Sequence, residues 1–136
     1  MDSSDIVRSE PVKYDPREIE ARWQRVWEDE RAFEVPNPSL QELTGNVHKT
    51  YVVEMLPYPS GELHMGHTLN YTIGDVVTHL RRRKGMQVLR PMGYDAFGLP
   101  AENAAIKEGG HPRVVTERNI ASIRDQMRRM GWAIDW

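Results

Sequence analysis

The chain has 136 residues, about the length of one domain and enough to bury a respectable core. Its formal net charge of −2, with 28% charged residues, argues against a dominant nucleic-acid surface, and no apolar run approaches the roughly 20 residues that a bilayer span requires. The lack of cysteine excludes disulfides and thiolate zinc sites, and the opening Met1-Asp2-Ser3-Ser4-Asp5 has neither the basic nor the apolar region of a secretion signal, so a cytoplasmic location is expected.

In chain order, residues 1–13 read as a polar, poorly ordered arm. Asp15-Pro16-Arg17-Glu18 then offers an N-cap, a proline at the first helical position and a capping-box glutamate. The helix it opens carries Ile19, Trp23, Val26, Trp27 and Phe33 at spacings of three and four, a stripe that reads as core or docking surface without a ligand role. Val35 to Lys49 contains Pro36, Pro38, Gly45 and Asn46 and reads as a loop, so residues 14–49 form a helix followed by a connection. Thr50 to Leu56, β-branched and aromatic at its start, reads as a strand.

A helix from about Gly66 to Lys84 sets Leu69, Ile73, Val76, Val77 and Leu80 on one face, and Gly85 stops it. Its closing Arg81-Arg82-Arg83-Lys84 complements the helix dipole, with RNA contact as the other reading. Met86 to Arg90 returns as a second strand, and Pro91 to Pro112 is a long connection rich in glycine, alanine and proline. A last helix is expected after Thr116, with Ile120, Ile123, Met127 and Met130 largely on one face and its end at Gly131. Strand, crossover helix and strand make a βαβ unit, parallel and right-handed. Two such strands do not complete a doubly wound sheet, whose strands are buried on both faces and need neighbours. The chain is therefore expected to be an N-terminal piece of a larger protein.

The most informative segment joins the first strand to the second helix: Pro57-Tyr58-Pro59-Ser60-Gly61-Glu62-Leu63-His64-Met65-Gly66-His67. Two histidines three residues apart stand at a helix start, where unpaired N–H groups and partial positive charge attract phosphate. Their imidazoles add donors where charge builds on a reacting phosphoryl group, and Gly66 lets a flat ring or phosphate approach the backbone. A metal pair and an inert helix start are the competing readings; without nearby carboxylate or thiol ligands a metal site is incomplete. Ligands of open α/β sheets bind beyond the carboxyl ends of strands, so this loop and the one after Arg90-Pro91, with Tyr94-Asp95, are expected to share a crevice. Asp95, in an otherwise apolar loop, needs a partner if buried; an Asx-turn or helix-cap role competes with ligand binding.

His64-Met65-Gly66-His67 resembles the "HIGH" signature of class I aminoacyl-tRNA synthetases, with Met in place of Ile. The text from Glu54 through Gly61, Asn70-Tyr71-Thr72-Ile73-Gly74-Asp75, and the run from Arg90 through Ala104 are similar to bacterial leucyl-tRNA synthetases. The likeness extends from about Tyr14 to Trp136. It implies an α/β fold: an incomplete Rossmann-like nucleotide-binding half with parallel strands, filling residues 50–136 and preceded by the amphipathic N-terminal helix.

The implied activity is ATP-dependent activation of leucine to leucyl-adenylate and its transfer to tRNA(Leu), with Mg2+ accompanying ATP and no protein metal site. The resemblance implies His64 and His67 as catalytic donors to the phosphates, with Met65 and Gly66 also at ATP, and Met55, Leu56, Tyr58 and Asp95 at leucine, Asp95 taking the ammonium group; Asn70, three residues past the signature, is expected to hydrogen-bond ATP or to brace the loop. A lysine-rich "KMSKS" loop, the family's second signature, does not occur in these residues. The isolated piece is thus expected to be weakly active or inactive, with tRNA contacted mainly by other parts of a monomeric, membrane-free protein. The rival readings are a nucleotidylyltransferase-like enzyme and a non-catalytic nucleotide-binding fragment.

Overall fold

The structure is a computed structural model that describes residues 13–45 and 47–136. The expected arm, apart from Lys13, and Asn46 lie outside the described residues. Helix α1 spans Pro16–Asp29, capped by Asp15, whose carboxylate accepts from the Arg17 amide at 3.0 Å, with Pro16 at the first turn. A short α2, Leu40–Thr44, interrupts the expected loop. Its signal is Ser39 three residues before Glu42: the serine hydroxyl accepts from the Glu42 amide at 3.3 Å and the glutamate accepts from the Ser39 amide at 2.7 Å.

Strand β1 is Lys49–Tyr51, helix α3 is Met65–Arg83 and strand β2 is Gln87–Leu89. The strands pair in parallel, Thr50 opposite Val88. The strand expected to reach Leu56 leaves the ladder after Val52, whose amide donates to Leu89 O at 3.0 Å, because β2 ends there. The next carbonyl along, Arg90 O, accepts from the Asp135 amide at 2.9 Å, and Pro91 bridges Asp135 in parallel. The segment of Asp135 thus lies beside the end of β2. These two parallel strands with a crossover helix form the expected incomplete Rossmann-like half.

Helix α4, Leu99–Glu108, lies inside the stretch read as a connection, and α5, Pro112–Arg129, starts a turn earlier than expected. Both begin with proline in the first turn, and α4 closes at Gly109 in the left-handed conformation, φ +66°. The two helices pack on each other, and α5 also carries α1. Gln24 Nε2 donates to Arg129 O at 3.0 Å, Glu28 pairs with Arg128 at 2.9 Å, and the Trp27 ring lies against Gly131, where an added Cβ would meet it at 3.3 Å. The core, Tyr71, Ile123, Met127, Trp132 and Ile134, sits between α3, α5 and the closing segment, with Leu63, Met92 and Tyr94 packed against it.

The apolar face of α3 differs from expectation. Leu69, Ile73, Val76 and Leu80 are all more than half exposed, and the buried face is Tyr71, Gly74 and Thr78. The reason lies beneath the helix, where Arg90, 1% exposed, gives every guanidinium N–H a partner. Nε and Nη2 grip the Glu54 carboxylate at 3.1 and 2.7 Å, Nη2 also donates to Tyr71 O at 2.7 Å, and Nη1 donates to Asp75 Oδ1 at 3.1 Å and Ala133 O at 3.5 Å. Asp75 Oδ1 in turn accepts from the Ala133 amide at 2.7 Å. Glu54 reaches its place only because residue 74 is glycine: an added Cβ would stand 1.6 Å from Glu54 Oε1. A charged cluster under α3 needs small and polar residues above it, so the apolar row turns outward.

Arg82, of the basic run, also points inward, stacking over Phe33 at 4.9 Å and donating to Ala32 O. It docks the segment that follows α1. Separated from anything that covers the α3 row, the 136-residue chain is expected to bind a hydrophobic dye, aggregate at micromolar concentration and give a weak near-UV signal. A cooperative melt without dye binding would contradict this.

Candidate functional site

The site is built where β1 runs out and α3 begins. His64 is the N-cap of α3, with extended backbone, and its Nδ1 accepts from the Gly66 amide at 3.1 Å. His67, one turn on, returns the bond: its Nδ1 accepts from the His64 amide at 3.2 Å. Two histidines therefore make the reciprocal cap that serine and glutamate usually form. A nitrogen that accepts carries no proton, so each neutral imidazole holds its proton on Nε2. The rings lie 3.9 Å apart and His67 stacks on Tyr71 at 5.9 Å, which fixes the pair against the core. The outcome is two adjacent Nε2–H donors at the positive end of a 19-residue helix with no acidic residue in its first turn.

Burial, and then the neighbouring His64, hold the His67 pKa below its ordinary value, keeping that ring neutral near pH 7. The sign follows: as pH falls through the ordinary histidine range, near about 6.5, the unfolded chain takes up the proton first and stability is lost. At Gly66 an added Cβ would sit 2.9 Å from His64 Cε1, so the ring would have to shift to make room.

The two strand-end loops do meet. The Asp95 amide donates to Pro57 O at 3.0 Å, and the Leu56 side chain lies where a Cβ on Gly93 would be 3.3 Å away. Asp95 is exposed, and the helix that follows is capped by Gly98 with no side-chain bond, so the helix-cap reading of this aspartate fails. Met55, Leu56 and Tyr58 present open apolar surface on the first loop. The Met55 carbonyl is held by the Tyr71 hydroxyl at 2.9 Å; burial, and then Glu54, push that phenol up to about 12, so it stays a donor. Met65 and Asn70 are exposed on the first turns of α3, and no hydrogen bond from Asn70 braces the loop among the described residues.

Sequence reading missed what holds this loop. Asn119 Nδ2 donates to Pro59 O at 2.9 Å, and Gln126 Oε1 accepts from the Leu63 amide at 3.0 Å. Both come from α5, some sixty positions later, and nothing local marks them. Arg90 and Glu54 were likewise legible only as part of a resembling run. A separate cavity of about 460 Å³, lined by Trp27, Phe33, Arg128, Trp132 and Trp136 among others, shares no residue with the histidine loop. Among the described residues no group of three or more His, Cys, Asp or Glu side chains is placed to hold a metal ion.

A family model described as tRNA synthetases class I (M) matches residues 50–136. The chain is 52% identical over 124 residues to a leucine-tRNA ligase of Brucella anthropi, covering 91% of this chain and 14% of that protein. It is 54% identical over 125 residues to the leucine-tRNA ligase of Nitratidesulfovibrio vulgaris, covering 92% of this chain and 14% of the relative. The fold superposes with a TM-score of 0.82 on the LeuRS of Agrobacterium radiobacter in a ternary complex with tRNA and LeuAMS, at 43% identity, over 91% of this chain and 15% of that one. The chain thus spans about a seventh of the length of the curated relatives it matches. The matched stretch runs from the first strand through the histidine-capped helix to Trp136, and on that match this chain belongs to the class I tRNA synthetases.

Proposed function

We propose that this chain is the leading part of the catalytic domain of a leucine-tRNA ligase, which activates leucine with ATP and passes it to tRNA(Leu). The observation that supports the reading is the reciprocal histidine cap at a helix start with no acidic residue in its first turn, on a loop whose Pro57 carbonyl accepts from the Asp95 amide. The 52% identity to a leucine-tRNA ligase over 124 residues supports it, and so does the likeness to a protein in complex with tRNA and LeuAMS.

In the proposed first step a leucine carboxylate oxygen attacks the α-phosphorus of ATP, its bond forms as the bond to pyrophosphate breaks, and leucyl-adenylate results. Such a transfer depends on positioning and on stabilising charge on the phosphate oxygens. His64 and His67 donate to those oxygens through Nε2, while Met65, Gly66 and Asn70 lie along the nucleotide. Mg2+ arrives with the ATP phosphates. Asp95 receives the leucine ammonium group, and Met55, Leu56 and Tyr58 form the apolar wall for its side chain. Such a wall separates aliphatic substrates by only about 1–3 kcal/mol per methylene, so proofreading is assigned to parts of the protein outside these residues. Those parts also make most of the tRNA contacts. The full-length protein is read as monomeric and cytoplasmic; no helix among the described residues is long and apolar enough to cross a membrane.

The test is ATP–pyrophosphate exchange by the full-length protein with leucine, isoleucine, valine and methionine in turn. Exchange that favours leucine supports the reading, and exchange indifferent to the amino acid contradicts it. Asp95→Ala should raise the leucine KM at least about tenfold, the loss of a charge-assisted bond of about 1.5–3 kcal/mol, and leave the ATP KM nearly unchanged. An unaltered leucine KM in a folded variant would remove Asp95 from the site.

A further inference from the structure

We infer that Asn119 and Gln126 are positioning residues for the histidine pair, holding the Pro59–Leu63 backbone so that His64 and His67 reach the reacting phosphate; this rests on the activation reading above. Both lie on α5, seven residues apart, which is two turns and therefore one face. That face runs along the loop, and each amide is committed to a main-chain group of it. Asn119 donates to the carbonyl of Pro59, a residue with no amide proton of its own and a fully buried ring. Gln126 accepts from the amide of Leu63, the residue immediately before the His64 N-cap.

Nothing else in the described structure bonds these two groups, whereas the loop's start is tied by Tyr71 to Met55 O and by Asp95 to Pro57 O. The four ties fall in order along the loop, and the two from α5 are the last before the helix. Loss of either leaves a half-buried backbone group without its partner and lets the helix start drift. A misplacement of about 1 Å at a reacting centre can cost about 100-fold in rate.

The roles are chemically opposite, which supplies a stringent test. Gln126 works through its oxygen, so Gln126→Glu keeps the acceptor. Asn119 works through its nitrogen, so Asn119→Asp replaces a donor with a carboxylate oxygen facing the Pro59 carbonyl. In the full-length protein, Asn119→Asp and Gln126→Leu are expected to lower kcat for leucine-dependent pyrophosphate exchange by about 100-fold, with the KM values for leucine and ATP little changed. Gln126→Glu should retain most of the activity. Hydrogen exchange over residues 57–67 should quicken in the first two variants and not in the third, with α5 protection and melting temperature preserved.

Equal effects of the two acid substitutions, or an unloosened loop in Asn119→Asp, would overturn the inference. So would KM and kcat failing together with the melting temperature. A wild-type protein inert toward leucine, with the loop still loosened in Asn119→Asp and Gln126→Leu and not in Gln126→Glu, would defeat the activation reading while supporting the anchoring by α5.

Discussion

Replacing either His64 or His67 with alanine in the full-length protein is expected to slow leucine activation about 100- to 1,000-fold, the loss of one preorganised donor to a developing oxyanion, worth about 2.7–4 kcal/mol. The leucine KM should move far less, because the proposed role of the pair is toward charge that builds on the phosphate oxygens and not toward the bound amino acid. His64→Ala also removes a helix cap, at a cost of about 0.5–2 kcal/mol, so a loss of activity through unfolding has to be separated from a loss of chemistry. His64→Asn does this. Its side-chain oxygen can accept from the Gly66 amide as Nδ1 does at 3.1 Å, but the short amide has no group where Nε2 stood. It should fold normally and remain slow. Near-wild-type exchange in His64→Asn and His67→Ala together would assign the pair to capping alone.

The largest expected effect on stability is at Arg90. Arg90→Met removes all five guanidinium bonds and leaves Glu54, 7% exposed, without its cation in a low-dielectric site. The cost is expected at about 3–5 kcal/mol. Arg90→Lys should recover little, because an ammonium has no planar fork to span a carboxylate, a second carboxylate and two carbonyls at once. Gly74→Ala attacks the same cluster from the helix side by driving Glu54 away, and the pair should be far from additive with Arg90→Met. The measurement is thermal unfolding of the full-length protein with limited proteolysis between α3 and β2. An Arg90→Met protein that melts and resists cleavage like the wild type would show that the cluster is dispensable.

What sequence made legible was local. The cap of α1, the bounds of α3 and the strand-to-helix loop all follow from Asp15-Pro16, from the histidine pair and from Gly85, and each lies where its signal stands. Helix α4 was equally local, with Pro100 in its first turn and Gly109 at its end, but the glycines around it favoured a connection. The Ser39 and Glu42 box of α2 was hidden in the same way by Pro36, Pro38 and Gly45.

The face of α3 was not legible, because it is decided by Arg90, just past the end of β2, and by Glu54, in the segment that follows β1. Periodicity reports which residues share a face, not which neighbour claims it. Arg82 illustrates the same limit: as one of four consecutive cations it reads as surface charge, and only the fold brings Phe33, in the segment after α1, beneath it. The convergence of the Pro57 and Asp95 loops could be foreseen from the rule that parallel strands end on one side. The hold of Asn119 and Gln126 on one of those loops could not, since no spacing relates residue 119 to residue 59.

The central proposal is that the histidine pair serves the phosphate, and Asp95 the ammonium group, of one leucyl-adenylate. It is tested most directly by solving the full-length protein with a non-hydrolysable leucyl-adenylate analogue. The prediction is that the analogue's ammonium group lies within hydrogen-bond distance of the Asp95 carboxylate, its side chain rests on Met55, Leu56 and Tyr58, and the group in the place of the phosphate faces Nε2 of His64 and His67. An analogue whose ammonium group lies elsewhere, or whose phosphate position is out of reach of both imidazoles, would contradict it.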